Sequence, residues 1–304
     1  MSISILIDAN IYLGLYRAKP PRSVLDSISR LDHVFVSEQI VDEVTRNRVR
    51  IAATAFAENI GNIKSAKSIP LPDADESEVE MAAVVTNEVQ KFNSAAKALK
   101  QGYAQAMLKL LRSIQKGTDP VSVVLRPLFL RAVSATHGEL TKARRRRERG
   151  LPPGKPGDPL GDQLIWEQFL TRCAGVDNIV IVSRDRDYVE RHLDELFLNP
   201  ILERDIRNTA FGAAVTVFDT LADALPFVLA RIRAPVPIPA AEALAMMKQQ
   251  EQVVLPVPME APARCPRCTS NEGFIGPIPT RGTGGRWSSA FVCVACGARA
   301  TVEE

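Results

Sequence analysis

The segment Ile3-Ser4-Ile5-Leu6-Ile7-Asp8-Ala9-Asn10 decides how this chain reads. Ile179-Val180-Ile181-Val182-Ser183-Arg184-Asp185-Arg186-Asp187 repeats its logic far downstream. Each is a short, continuous, β-branched run that ends in an acid. Such runs mark strands buried on both faces, as in a parallel sheet. Helical patterns at 11–16 and 21–31 follow the first run. His33-Val34-Phe35-Val36 reads as a second strand. Ser37 then caps a helix whose apolar face is Ile40, Val41 and Val44. Strand, helix, strand, helix at this spacing predicts an α/β fold with a parallel sheet and crossovers. In such sheets ligands bind beyond the carboxyl ends of the strands, where Asp8 and Asp185 stand.

Working outward, residues 47–148 change character. Strand signals vanish, Ala, Lys, Gln and Leu dominate, and two or three long helices are expected, with breaks near 69–73 and 117–120. This reads as a helical insertion on the α/β core. A Pro/Gly loop at 149–161 delivers Asp162 to a helix over 163–174. Strand 179–182 follows, then a helix around 187–196, a last strand at 215–218 and a closing helix from Thr220 to about Ile232. One domain is therefore expected over 1–232. Alternating prolines mark a linker over 233–262 that holds a short Ala/Met-rich, helix-compatible stretch. A small module occupies 263–304.

Composition narrows the class less than position does. An apolar share of 46% in 304 residues can build a sizeable core, and a net charge of +3 leaves nucleic-acid binding to local charge. The N-terminus lacks a basic leader, and no run approaches the roughly 20 apolar residues of a membrane helix, so a soluble, cytoplasmic protein is expected. Cys173, alone in a helical stretch, reads as core filler.

Taken singly, the acids have bland readings. Asp8 and Asp162 suit helix caps, Glu43 a solvated surface, and Asp185 and Asp187 a polar turn. Taken together, they stand at element junctions of one α/β segment. Acids gathered on one rim repel unless a cation holds them, and Mg²⁺ or Mn²⁺ takes hard oxygen ligands. None of His33, His137 or His192 neighbours these acids in sequence, and no phosphate-binding glycine loop is present.

These motifs resemble PIN-domain nucleases. The carriers are Ile-Leu-Ile-Asp8-Ala-Asn10, Glu43 after the second strand, Gly161-Asp162-Gln-Leu-Ile-Trp166-Glu, and Ile-Val-Ser183-Arg-Asp185-Arg-Asp187-Tyr188. The Pro-Pro-Gly…Gly-Asp-Gln-Leu-Ile-Trp stretch is similar to a large bacterial PIN-like subgroup with a helical insertion. The resemblance covers about 1–230. It implies a PIN-like three-layer α/β fold and a Mg²⁺- or Mn²⁺-dependent endonuclease acting on RNA rather than DNA. By analogy it implies a toxin or defence role. Asp8, Glu43, Asp162 and Asp185 would be the metal-binding, catalytic acids, with Asn10 and Ser183 in support. Asp187 is a second candidate for the fourth acid, and Asp158 an outer one. The long insertion departs from compact members and leaves substrate choice open.

Two further features carry chemistry. Cys265-Pro-Arg-Cys268 and Cys293-Val-Ala-Cys296 have the spacing of a closed structural Zn²⁺ site, which predicts a β-rich zinc ribbon. That ribbon would contact nucleic acid or dock a protein. Arg144, Arg145, Arg146 and Arg147 form the densest basic run, either a solvated helix end or a clamp for phosphates. Two competing readings stay open. One is a catalytically inactive nucleic-acid- or protein-binding adaptor with the same fold. The other is a phosphotransferase using Asp8 as nucleophile, which would usually want an Asp where Asn10 stands. Self-association is also left open.

Overall fold

The structure is a computed structural model. It describes residues 2–18, 20–61, 63, 66, 76–154, 160–193, 195–232, 238–252, 274–281, 287–293 and 299–303. Two compact units emerge, Met1–Gln252 and Val253–Glu304.

The first unit is a mixed α/β fold around a four-stranded, all-parallel sheet. In chain order it contains β1 (Ile3–Ile7), α1 (Ala9–Arg17), α2 (Arg22–Ile28), β2 (Val34–Phe35), α3 (Glu38–Gly61), α4 (Glu76–Lys116), α5 (Pro120–Phe129), α6 (His137–Glu148) and α7 (Gly161–Cys173). Then come β3 (Asn178–Val182), β4 (Val189–His192), β5 (Glu195–Leu198), α8 (Pro200–Thr209), β6 (Ala214–Phe218), α9 (Leu221–Ile232) and α10 (Ala241–Gln252). Strand order is β2-β1-β3-β6. The central pair, β1 and β3, is buried along its whole length, as the unbroken apolar runs predict. Helix α7 packs on β1 and α9 on β3 and β6. Trp166 and Phe169 of α7 are fully buried, with Phe169 beside Phe35 of β2.

One expectation is corrected. The helix expected around 187–196 is the antiparallel hairpin β4–β5, pairing Val189 with Leu198 and His192 with Glu195. Leu193 takes a left-handed φ of 53° at its turn, and Glu195–Leu198 alternates exposed with half-buried residues, the strand period rather than the helical one. Within 233–262 the Ala/Met-rich, helix-compatible stretch forms α10, which packs on α9 through fully buried Met247 and a Lys248–Asp223 ion pair of 2.9 Å. In the insertion, α3 runs on to Gly61, and α4, α5 and α6 follow. The segment after α5 returns to the edge of β2, where Val133 bonds Val36 and Glu38.

The basic run also divides. Glu139, Ala143 and Arg146 form the buried stripe of α6, at i, i+4 and i+7, while Arg144, Arg145 and Arg147 are exposed. Arg146, expected to meet phosphates with its neighbours, is only 7% exposed. Its guanidinium donates to Glu167 at 2.7 Å, Asp205 at 2.6 Å and the Pro152 carbonyl at 2.6 Å. It therefore ties α6, α7, α8 and the Pro/Gly loop together.

The second unit contains the antiparallel sheet β7 (Phe274–Arg281), β8 (Trp287–Cys293) and β9 (Arg299–Glu303), in that order. Cys293 closes β8, whereas Cys265, Cys268 and Cys296 lie outside the described residues, as does Asp158. Among the described residues no helix is long and apolar enough to cross a membrane.

Removing one member of a buried ion network leaves uncompensated charge, at a cost of ~3–5 kcal/mol. Arg146→Ala should therefore lose stability on that scale in chemical denaturation, and the exposed Arg144→Ala should change it by less than ~0.5 kcal/mol.

Candidate active site

Strand order reverses between β1 and β3. From β1 the chain moves outward to β2, and it later returns to the other side of β1 as β3. Ile7 pairs with Val182, so Asp8 and Ser183 emerge together from the carboxyl end of the sheet at its switch point.

Asp8 has the extended backbone of an N-cap, yet its side chain makes no capping bond. Instead the Ser183 hydroxyl donates to its Oδ2 at 2.6 Å. Ser183 is fully buried and also accepts the Asp185 backbone N–H at 3.1 Å, so one hydroxyl links two of the acids. The Asp185 carboxylate accepts the Asp187 N–H at 2.9 Å, and its carbonyl accepts those of Tyr188 and Val189. Asp187 turns elsewhere: its Oδ2 accepts the Gly154 N–H at 2.9 Å and pins the Pro/Gly loop. Gly154 has a φ of 92°, and a Cβ there would stand 2.2 Å from Gln163 Nε2, so this loop fits only glycine at that point.

Glu43 lies in the second turn of α3, half-buried rather than solvated. Gln39, one turn earlier on the same face, meets the start of α7 so closely that a Cβ on Gly161 would come within 2.8 Å of it. This approach carries Asp162, inside the first turn of α7 and one residue beyond its first, toward Glu43. Asn10, in the first turn of α1, has a buried Oδ1 with no hydrogen-bond partner.

The electrostatics join the four acids into one field. Burial raises the Asp8 pKa to about 7; the Ser183 bond opposes this, and the charges of Glu43 and Asp185 add to it. Glu43 is likewise raised, first by burial, then by Asp162, with Arg46 opposing. Tyr188 is 2% exposed and packs edge-on against Trp166. Its phenol is pushed up by burial and then by Asp8, Asp162, Asp185 and Glu43 together. Tyr188 thus adjoins all four acids. In the sequence it was only a motif neighbour of Asp187, with nothing to mark it as part of the site. His33, His137 and His192 are exposed, and no histidine contributes to these shifts.

Among the described residues no group of three or more His, Cys, Asp or Glu is already drawn together so that it could hold a metal ion. Two unit charges ~4 Å apart repel by about 4 kcal/mol at an effective dielectric constant of ~20, so carboxylates with nothing between them keep their distance. The donor chemistry itself fits a hard divalent cation. It offers four carboxylates from four elements, an unpartnered amide oxygen at Asn10, and no competing nitrogen or sulfur ligand.

Beside the acids, Arg144, Arg147, Glu148 and Leu160 line an open groove of about 410 Å³. Leu160 is the N-cap of α7, two residues before Asp162.

A protein-family model described as a PIN like domain matches residues 4–196, from β1 into β5, and so spans all four acids. No curated protein and no solved structure matches the chain.

Asp8 holds a proton to about pH 7 in the fold but only to 3.8 as an ordinary carboxyl. Between those values the folded state binds more protons than the unfolded one, so stability falls as pH rises through that window. The metal-free protein should lose several degrees of Tm between pH 5 and 8, less so in Asp8→Asn. Mn²⁺ at pH 8 should restore Tm in the wild type and have a smaller effect in Asp8→Asn, as read by differential scanning calorimetry.

Proposed function

The chain belongs to the PIN-like domain family, and from that premise we propose that it is a metal-dependent endonuclease that hydrolyses phosphodiester bonds in RNA. The nuclease class and a general use of divalent metal follow from the family. The choice of RNA, the endonucleolytic mode and a toxin or defence role are our reading. The observation that carries it is the single electrostatic field of Asp8, Glu43, Asp162 and Asp185 at the switch point of the sheet, over buried Tyr188.

In this reading the four acids hold Mg²⁺ or Mn²⁺, and Asn10 turns its unpartnered oxygen to the same task. A divalent cation held there would supply charge neutralisation at the scissile phosphate and a water acidic enough to attack at neutral pH. Ser183 fixes Asp8 and Asp185 in one orientation through its two hydrogen bonds. Asp187, held by Gly154, keeps the Pro/Gly loop against the site rather than serving as the fourth acid. Arg144 and Arg147, with Arg145 exposed on the same helix, draw the backbone of the strand toward an otherwise acidic rim.

The second unit would hold structural Zn²⁺ through Cys265, Cys268, Cys293 and Cys296. Supporting this are the paired C-x-x-C spacing and the three-stranded antiparallel sheet whose middle strand ends at Cys293. So small a unit has little core, and metal binding would supply much of its folding energy.

Labelled single-stranded RNA should be cut with Mg²⁺ or Mn²⁺ and spared in EDTA, and Asp8→Asn should lower the rate by ~100-fold or more, as losing a ligand to a catalytic metal does. Cutting of DNA in preference to RNA would reject the substrate assignment. Undiminished cutting by Asp8→Asn would reject the site. Double substitution Arg144→Ala/Arg147→Ala should weaken binding to all sequences alike and reduce the salt slope of log K by ~1–2. Elemental analysis should find one zinc per chain, lost in Cys265→Ser/Cys268→Ser.

A further inference from the structure

Helix α4 runs for 41 residues, about 60 Å at a rise of ~1.5 Å per residue. Residues such as Val89, Asn93, Ala96, Tyr103 and Met107 face the rest of the unit. A neighbouring stripe does not. Met81, Val85, Phe92 and Leu99 are 67%, 44%, 54% and 59% exposed. They fall on one seam with the exposed Glu88, Ala95, Gly102 and Ala106, at alternating steps of four and three residues. This is the repeat by which two helices pack knobs into holes. A contiguous apolar stripe of this kind marks an interaction surface.

Two properties of the stripe specify what covers it. The first is charge. Residues 76–90 contain four glutamates (Glu76, Glu78, Glu80, Glu88) and no basic residue. Residues 91–116 contain Lys91, Lys97, Lys100, Lys109, Arg112 and Lys116 and no acid. The helix is therefore its own electrostatic complement, but only when turned end for end. The second is size. Met81, Val85 and Phe92 occupy the N-terminal side of the seam, and Ala95, Gly102 and Ala106 the C-terminal side, with Leu99 among them. Antiparallel pairing about a two-fold axis sets Met81 against Ala106, Val85 against Gly102 and Phe92 against Ala95, large on small at three of the four layers. Parallel pairing would stack glutamate on glutamate and lysine on lysine, and would leave Gly102 facing Gly102. Glu88, which also pairs with Lys91 on its own helix at 2.7 Å, then lies across from Leu99 and its neighbour Lys100. A single charged seam position of this kind fixes register at some cost in stability.

We propose that the exposed face of α4 is an isologous dimer interface, on which a second copy of this chain lays its own α4 antiparallel. The closed two-fold pairing buries both stripes and leaves neither helix half unneutralised. The proposal stands apart from the nuclease reading, since it invokes none of the four acids.

Sedimentation velocity on the full chain tests it. The wild type should have the mass of two chains at tens of micromolar. Phe92→Glu/Leu99→Glu should raise the dimer dissociation constant by ~10-fold or more, as loss of a central apolar pair does. Its circular dichroism should be unchanged, because both positions are exposed. Replacing Glu76, Glu78, Glu80 and Glu88 by Lys should give a monomer. Replacing Lys91, Lys97, Lys109 and Arg112 by Glu should also give a monomer. Mixing the two charge variants should restore a dimer containing one chain of each. A monomeric wild type, a dimer that survives Phe92→Glu/Leu99→Glu, or a charge variant that dimerises by itself would overturn the proposal.

Discussion

Parallel pairing of β1 with β3, in the register Ile7 with Val182, sets everything that follows at the carboxyl end of the sheet. The ladder continues one step beyond each strand. Asp8 donates its amide to the Val182 carbonyl, and Ser183 donates to that of Phe218 in β6. Three strands therefore deliver their next residues to one edge with little freedom left. A shift of one residue would turn Asp8 into the core and send Ile7 to the rim, which burial of the β1 side chains forbids. The position of the first acid is thus fixed by hydrophobic burial, and the hydroxyl that orients it is fixed by the same register.

That arrangement works against the electrostatic preference of the groups it gathers. Asp8 and Glu43 are both pushed toward the protonated form, chiefly by burial and then by their acidic neighbours. The compensation is local. Ser183 gives Asp8 a donor, Arg46 faces Glu43, and Asp187 satisfies its own charge on the Gly154 amide. Behind the rim, Arg146 neutralises Glu167 and Asp205 and takes the Pro152 carbonyl as well. Acids that serve the scaffold are thus matched by a buried cation, whereas at the rim Asp8 takes a hydroxyl and Glu43 meets Arg46.

Much of this was legible in the sequence, because period and punctuation are local signals. The two β-branched runs that end in acids gave the central strands to within a residue, and Gly161-Asp162 gave the start of α7. The partner of Asp187 is a glycine 33 residues away, a contact that no local signal marks. The hairpin at 189–198 was misread because four-residue strands carry too few periods to declare themselves against a helix. Arg146 was misassigned for a different reason. Glu139, Ala143 and Arg146 do keep the helical period, but a run of four arginines masks which one belongs to the buried stripe. Tyr188 had no signal of its own.

The four acids come from β1, α3, α7 and the turn after β3, elements that lie far apart along the chain. No local segment can assemble them, so the cluster exists only once the sheet and both helices have docked. A cluster kept for stability alone would not be built this way. Burial opposes the charges of Asp8 and Glu43, and the fold would gain from replacing either by a neutral isostere. Gathering acids over a buried phenol is coherent if a cation completes the set, because a cation turns their mutual repulsion into shared attraction.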